Sequence, residues 1–202
     1  MSSVTAFRLA NWDTPLWVAP NRRASRYFSA GVQVVQYWSL HPLTPWAEHL
    51  RYHGVRDPDE AGQLLVRPWV ATLDLPAGLL DLTFDNAAEH GLDPGALVED
   101  DWSECQRWAA SLTAPGLLVP SAALPGTRNL VLFGPRVRSR YGLPPTRPDL
   151  DVPCDPVAEW SVVLGDLLDR IRWRGDPHKG YEAWQAGADE PLPPIVTVSR
   201  AR

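Results

Sequence analysis

A cationic excess is what this chain most clearly lacks: 19 Lys and Arg stand against 24 Asp and Glu, for a formal net charge of −5. That argues against a nucleic-acid binder held by a broad basic face. Cysteine is scarce. Cys105 and Cys154 lie far apart with no Cys-x-x-Cys spacing, so neither a disulfide framework nor a zinc ribbon is expected, and both read as reduced thiols. No segment approaches the ~18 consecutive apolar residues of a membrane span. The opening Met1-Ser-Ser-Val-Thr-Ala-Phe-Arg-Leu-Ala10 has no basic patch followed by an apolar stretch and a cleavage site. A cytoplasmic protein is the expectation. Glycine loops of the forms Gly-x-Gly-x-x-Gly and Gly-x4-Gly-Lys-Ser/Thr are also absent, so any nucleotide must be held by side chains.

What is present is an ordinary globular balance, 45% hydrophobic and 21% charged, enough to bury one core, and one domain is the default at this length. Two values deviate. The 21 prolines are twice the usual share of about 5%, and ten tryptophans exceed what packing demands, so many loops and aromatic-lined surfaces are expected.

Periodicity places the elements. Gly31–Tyr37 is β-branched and partly alternating, as in a half-buried strand. Thr44 reads as an N-cap, Pro45 as a first helical residue and Gly54 as a stop, which puts Glu48 in the first turn of a short helix. Trp69–Leu75 is a second strand, and Gly78–Leu82 is equally a strand or a buried turn. Trp102, Cys105, Trp108, Ala109 and Leu112 recur at helical spacing, giving an amphipathic helix over about 101–113. Strands at 116–120 and 129–133 enclose a loop carrying Ser121. After a Pro- and Asp-rich connection over 141–156, Asp155 and Pro156 are read as capping a long helix with Val157, Trp160, Leu164, Leu167, Leu168 and Ile171 on one face, ended by Gly175. Strands mixed with helices without regular β-α-β alternation predict an α+β sheet.

Several chemistries can be weighed directly. His49 and His53 are four apart on the first helix, but Arg51 lies between them and no third ligand cluster is evident, so no metal is expected. Ser121 in Val119-Pro-Ser-Ala-Ala123 lacks the flanking glycines of a hydrolase elbow. Arg26-Tyr27 before a strand, Tyr37 at its end and Glu48 a turn later can converge. Arginine supplies a permanent cation for phosphate, tyrosines supply stacking faces, and a carboxylate can steady a sugar cation. The bland alternative is an exposed arginine, two packing tyrosines and a helix-end carboxylate. Trp38, His41 and Trp46 fall between Tyr37 and Glu48 and are read as packing or structural residues.

These residues resemble the RES-domain family, named for its Arg, Glu and Ser. The likeness runs from about Phe7-Arg8 to Phe133 and rests on three stretches. They are Ser25-Arg-Tyr-Phe28, then Val34-Val-Gln-Tyr37 with Glu48 eleven residues on in Trp46-Ala-Glu-His-Leu-Arg51, and Gly116-Leu-Leu-Val-Pro-Ser121 with Asn129-Leu-Val-Leu-Phe133. Thr72–Pro76 and Leu80–Thr83 add to it. The chain carries Ser25 and Phe28 where many relatives have Gly and Asn.

The resemblance implies an α+β, ADP-ribosyltransferase-like fold, with a mixed or antiparallel central sheet flanked by helices. It implies a catalytic core over 1–140, with 141–202 forming the Pro-rich connection and a C-terminal helix on the same domain. It further implies a toxin of a toxin–antitoxin pair that consumes NAD by phosphorolysis or hydrolysis. ADP-ribosyl transfer to a protein is one alternative; a non-catalytic interaction module is another. In this frame Glu48 is the catalytic carboxylate and Arg26 grips the NAD phosphates. Tyr27 and Tyr37 hold nicotinamide and its ribose, and Ser121 and Asn129 hydrogen-bond the nucleotide. No cofactor is implied. NAD is the substrate and inorganic phosphate a possible co-substrate, for which Arg8, Arg22, Arg23 and Arg128 are candidates. The implied partner is a small helical antitoxin, Xre/MbcA-like, that blocks the active site; neither nucleic acid nor membrane is implied.

Overall fold

The computed structural model describes residues 3–10, 23–30, 34–64, 66–134, 154–156 and 166–175. Seven strands make one sheet: β1 (Ser3–Ala10), β2 (Val35–Ser39), β3 (Arg67–Asp74), β4 (Leu80–Asp81), β5 (Gly116–Pro120), β6 (Arg128–Phe133) and β7 (Cys154–Pro156). Their order is β4-β5-β6-β2-β1-β3-β7. Every pairing is antiparallel except the parallel β4–β5 contact. Four α-helices, α1 (Thr44–His53), α2 (Pro58–Gly62), α3 (Ser103–Ala110) and α4 (Leu167–Arg170), and two short 3-10 turns, Ala88–His90 and Pro94–Leu97, complete the elements of the described residues. The class is α+β with a mixed sheet, as expected.

The period of two along the strands sorts side chains between the two faces. Leu130 and Leu132 of β6 join Ala6, Trp38, Ala71 and Leu73 in one cluster, while Val131 points the other way, into a cluster with Leu117, Val119, Leu97 and Cys105. On that second face the register sets Tyr37 opposite Val131 and Ser39 opposite Asn129. Two polar residues therefore meet directly across the centre of the sheet. Gly116 is required by close approach, because a Cβ there would come within 2.4 Å of the Val131 carbonyl oxygen.

Helix α1 is held by Trp46, Ala47 and Leu50, which pack with Val55, Ala123, Leu124, Ile171 and Trp173 in a third cluster. Leu50 is fully buried, worth about 1.5–3 kcal/mol against leaving it exposed. Gly54 closes the helix at φ 71°, donating its N–H to the Arg51 carbonyl, a left-handed conformation that suits glycine.

Several expected boundaries shift. The cap of α1 is Leu43, not Thr44, and its N–H bonds the His41 ring nitrogen. Thr44 is itself helical and fully buried, and Glu48 follows the first turn, which holds no acidic residue. Strand β2 begins at Val35, and α3 spans 103–110 rather than 101–113, because Asp101 turns its carboxylate onto the Ser103 N–H at 2.9 Å. Leu80–Asp81 is a strand. Asp155 and Pro156 do not cap a helix; they lie in β7 paired with Val70 and Trp69, at a sheet edge where proline's missing N–H is tolerated. Most of the expected C-terminal helix lies outside the described residues. Within them α4 ends at Arg170, with Ile171 extended, and Gly175 sits in a later turn. Among the described residues no helix is long and apolar enough to cross a membrane.

Candidate active site

A cleft of about 380 Å³ opens where α1 faces β2 and β6, and Arg26, Tyr27, Tyr37, Glu48 and Asn129 all line it. That volume falls within the range of small-molecule sites. Glu48 is anchored through one oxygen. Its Oε1 accepts from Ser121 Oγ at 2.7 Å and from Asn129 Nδ2 at 2.7 Å. Asn129 is oriented in turn by Ser39, whose hydroxyl donates to Oδ1 at 2.7 Å. The cross-strand Ser39–Asn129 pair thus fixes which end of the amide meets the carboxylate. Two donors on one oxygen hold the carboxylate in place and leave Oε2 to act on a ligand.

Ser121, expected to bond the nucleotide, is instead fully buried. It gives its proton to Glu48 while its oxygen accepts the N–H groups of Ala123 and Leu124, both at 3.1 Å. It is a positioning residue, made by the turn after β5.

Arg26 lies in a short turn bridged between Ser25 and Phe28. One guanidinium nitrogen donates to the Ala96 carbonyl at 2.8 Å, an oxygen that also accepts from the Cys105 thiol at 3.0 Å. Burial pushes that thiol up to about 11, with Arg26 working in the opposite sense, so Cys105 is an inert neutral thiol. Burial also raises the Tyr37 phenol to about 12, although hydrogen bonds from Ser25 and the Tyr27 N–H pull it down. Ser25 therefore has a task a glycine could not perform: its hydroxyl meets Tyr37 Oη at 2.5 Å. The Tyr27 phenol is raised well above its ordinary value, first by burial and then by Cys105. Its hydroxyl has no hydrogen-bond partner among the described residues, as befits a group waiting for a ligand.

Sequence reasoning missed Arg51. It is buried, its guanidinium bonds the Ala122 carbonyl, and it pairs with Asp100 at 2.7 Å. Burial lowers its pKa, while the Glu48 carboxylate works against that. The helical spacing of three from Glu48 was the available signal. Trp46 belongs to the core, Trp38 to the far face and His41 to the start of α1. Of the cations proposed for phosphate, Arg8 borders the cleft but holds its guanidinium carbon 5.8 Å from the ring centroid of Trp38, on the far face, whereas Arg128 is tied to Asp81 and to the Leu82 and Leu118 carbonyls. Arg23 is exposed, and Arg22 lies outside the described residues. Among the described residues no three His, Cys, Asp or Glu side chains gather as a metal site.

His49 borders the cleft with its ring 4.5 Å from that of His53. Burial, and then His53, lower its pKa from 6.5 to about 4. Between those values the unfolded chain binds a proton that the folded chain does not, so this histidine favours folding fully above pH 6.5 and progressively less as pH falls toward 4. The expected result is a stability profile that declines over that window and flattens in His49→Gln, read by urea unfolding at stepped pH.

Chemically, a fixed carboxylate beside aromatic walls and an arginine can stabilise a sugar cation while its phosphates are gripped. A relative from Mycobacterium tuberculosis described as a probable NAD(+) phosphorylase is 34% identical over 166 residues, covering 79% of this chain and 71% of that protein. The crystal structure of the M. tuberculosis MbcT-MbcA toxin-antitoxin complex contains a chain that superposes with a TM-score of 0.51 at 24% identity, covering 70% of this chain and 79% of that one. The family model described as RES domain matches residues 5–155. That match runs from the first strand of the sheet into the last and takes in every residue around Glu48 named above, and the chain belongs to the RES domain family.

Proposed function

We propose that this protein cleaves the nicotinamide–ribose bond of NAD and acts as the toxin of a toxin–antitoxin pair. The observation that carries the reading is Glu48 itself, held on Oε1 by Ser121 and Asn129 within a cleft lined by Arg26, Tyr27 and Tyr37. As the C1–N bond breaks, its electron pair passes to the nicotinamide nitrogen, which leaves neutral and needs no strong acid. The ribose becomes electron-poor at C1, and the Glu48 carboxylate stabilises that charge. Tyr27 and Tyr37 are the walls for nicotinamide and its ribose, and Arg26 grips the diphosphate through its remaining N–H donors. Ser121 acts through the carboxylate it holds, and Asn129, which lines the cleft, has a second amide N–H for the nucleotide.

Phosphate, through an oxygen that is already deprotonated, or water, passing a proton to bulk solvent, then forms the new bond at C1. The likeness to a probable NAD(+) phosphorylase, 34% identical, supports phosphate as the acceptor. No cofactor or metal enters this scheme. The likeness to a chain of a toxin–antitoxin complex supports a small helical antitoxin that blocks the cleft, and we place the protein in the cytoplasm, where NAD is consumed.

Proton NMR of purified protein with NAD, in buffers with and without phosphate, tests the reading. Loss of NAD only with phosphate, yielding ADP-ribose-1″-phosphate, identifies a phosphorylase; loss in both, yielding ADP-ribose, identifies a glycohydrolase. Intact NAD in both overturns the proposal.

A further inference from the structure

Beyond Glu48 the cleft continues to a cluster that the scheme above leaves unused. Tyr52 follows Glu48 by four residues on α1, so it lies one turn along the same face. Facing it are Trp102, just before α3, and Arg174. The Arg174 guanidinium carbon lies 4.2 Å from the Trp102 ring centroid and 5.9 Å from that of Tyr52, and all three line the cleft that holds Glu48. Trp102 and Arg174 also form a wall of a second, more open hollow of about 420 Å³, with Asp100, Asp101 and Gln106 around it.

Arg174 is delivered by a strap with fixed backbone. Ile171 and Trp173 are buried. The Arg172 N–H donates to the Ala123 carbonyl at 2.9 Å, and the Gly175 N–H to Asp100 Oδ2 at 2.8 Å. Asp100 is the partner of Arg51, so the anchor of the strap is also the anchor of the cation beside Glu48. The guanidinium is thereby placed before the ligand arrives, which lowers the ordering cost of binding.

We infer that Arg174 and Trp102, with Tyr52 at the rim, form a subsite for the adenine base of the dinucleotide, a reading that rests on the proposed NAD cleavage. A planar guanidinium stacked on an indole offers π surface to a heteroaromatic ring. The neighbouring carboxylates decide between base and phosphate. Asp100 is committed to Arg51 and Gly175, but the Asp101 carboxylate disfavours an anion here, and the Gln106 carbonyl accepts from an exocyclic amino group such as adenine carries. The Gln106 amide nitrogen already donates to the Ser25 carbonyl at 2.8 Å, so its oxygen is the end left for a ligand.

The test uses the full chain and Arg174→Ala, with Arg174→Lys as a second variant that keeps the charge and loses the plane. Calorimetry with adenosine 5′-monophosphate, which cannot react, alongside adenosine, which carries no phosphate for Arg26, reads the base subsite; kinetics with NAD and with nicotinamide mononucleotide, which lacks the adenylate half, reads its use. Expected are binding of the monophosphate and of adenosine weakened about tenfold in both variants, KM for NAD raised about tenfold with kcat within about twofold, and unchanged kcat/KM for the mononucleotide. Equal losses on both substrates point to a merely structural role and overturn the inference. So does unaltered monophosphate binding, or a raised KM for inorganic phosphate in place of NAD. Should the wild type leave NAD intact while Arg174 still governs monophosphate binding, the cleavage reading falls and the adenine subsite stands. Turnover of NAD with Arg174-independent binding gives the converse.

Discussion

Replacing Glu48 with Gln is expected to cut NAD turnover by about a thousandfold or more with little change in folding. The substitution keeps shape and an acceptor oxygen, so Ser121 and Asn129 retain their bonds at 2.7 Å. What disappears is the negative charge facing the ribose. An electrostatic contribution of about 4 kcal/mol at the transition state converts to roughly a thousandfold in rate. Thermal unfolding of the variant should stay within a few degrees of wild type, so the loss reads on chemistry. NMR time courses of NAD at equal protein concentration make the comparison, and a variant retaining a tenth of the activity would remove Glu48 from the central role.

The second large effect falls on stability. Arg51→Met should destabilise the fold by about 3 kcal/mol, as expected when one partner of a buried ion pair is removed. Arg51 is 4% exposed and Asp100 is 35% exposed, so the change strips a cation from a carboxylate with partial access to water. It also leaves the Ala122 carbonyl without its donor, at a further desolvation cost. Ala122 follows Ser121, and Asp100 holds Gly175, so the damage reaches both the turn that positions Glu48 and the strap that carries Arg174. Urea unfolding should place the midpoint lower by about 1 M or more with an unchanged slope. A shift equivalent to under about 1 kcal/mol would class the pair with solvent-screened surface bridges.

Much of the site was legible because its chemistry is local. Pro45 and Gly54 bracket α1, and that helix alone commits Glu48 to a defined face. The apolar run of 116–120 and its partner at 128–133 announce two central strands, and the turn between them carries Ser121. Less was legible where a partner far along the chain decides. Strand β1 escaped the periodicity reading because the adjacent apolar pair Ala6-Phe7 breaks its alternation. Its identity comes from eight register pairs with β3, more than fifty residues away. Asp155-Pro156 has the local look of a helix start, yet β3 offers an open edge and the edge takes it.

The sequence by itself determined the class of the fold, the helix that bears Glu48, and the family pattern of Arg26, Tyr37, Glu48 and Ser121. These follow from spacing and residue type within windows of a few turns or one strand. Only the tertiary structure decided that Ser121 hydrogen-bonds the Glu48 carboxylate, that Ser39 orients Asn129, and that Arg51, Asp100 and Arg174 link the cleft to the C-terminal strap. The physical reason is that a hydrogen bond or ion pair depends on distances of a few ångströms between groups about 50 to 90 residues apart, and no local periodicity encodes such a distance.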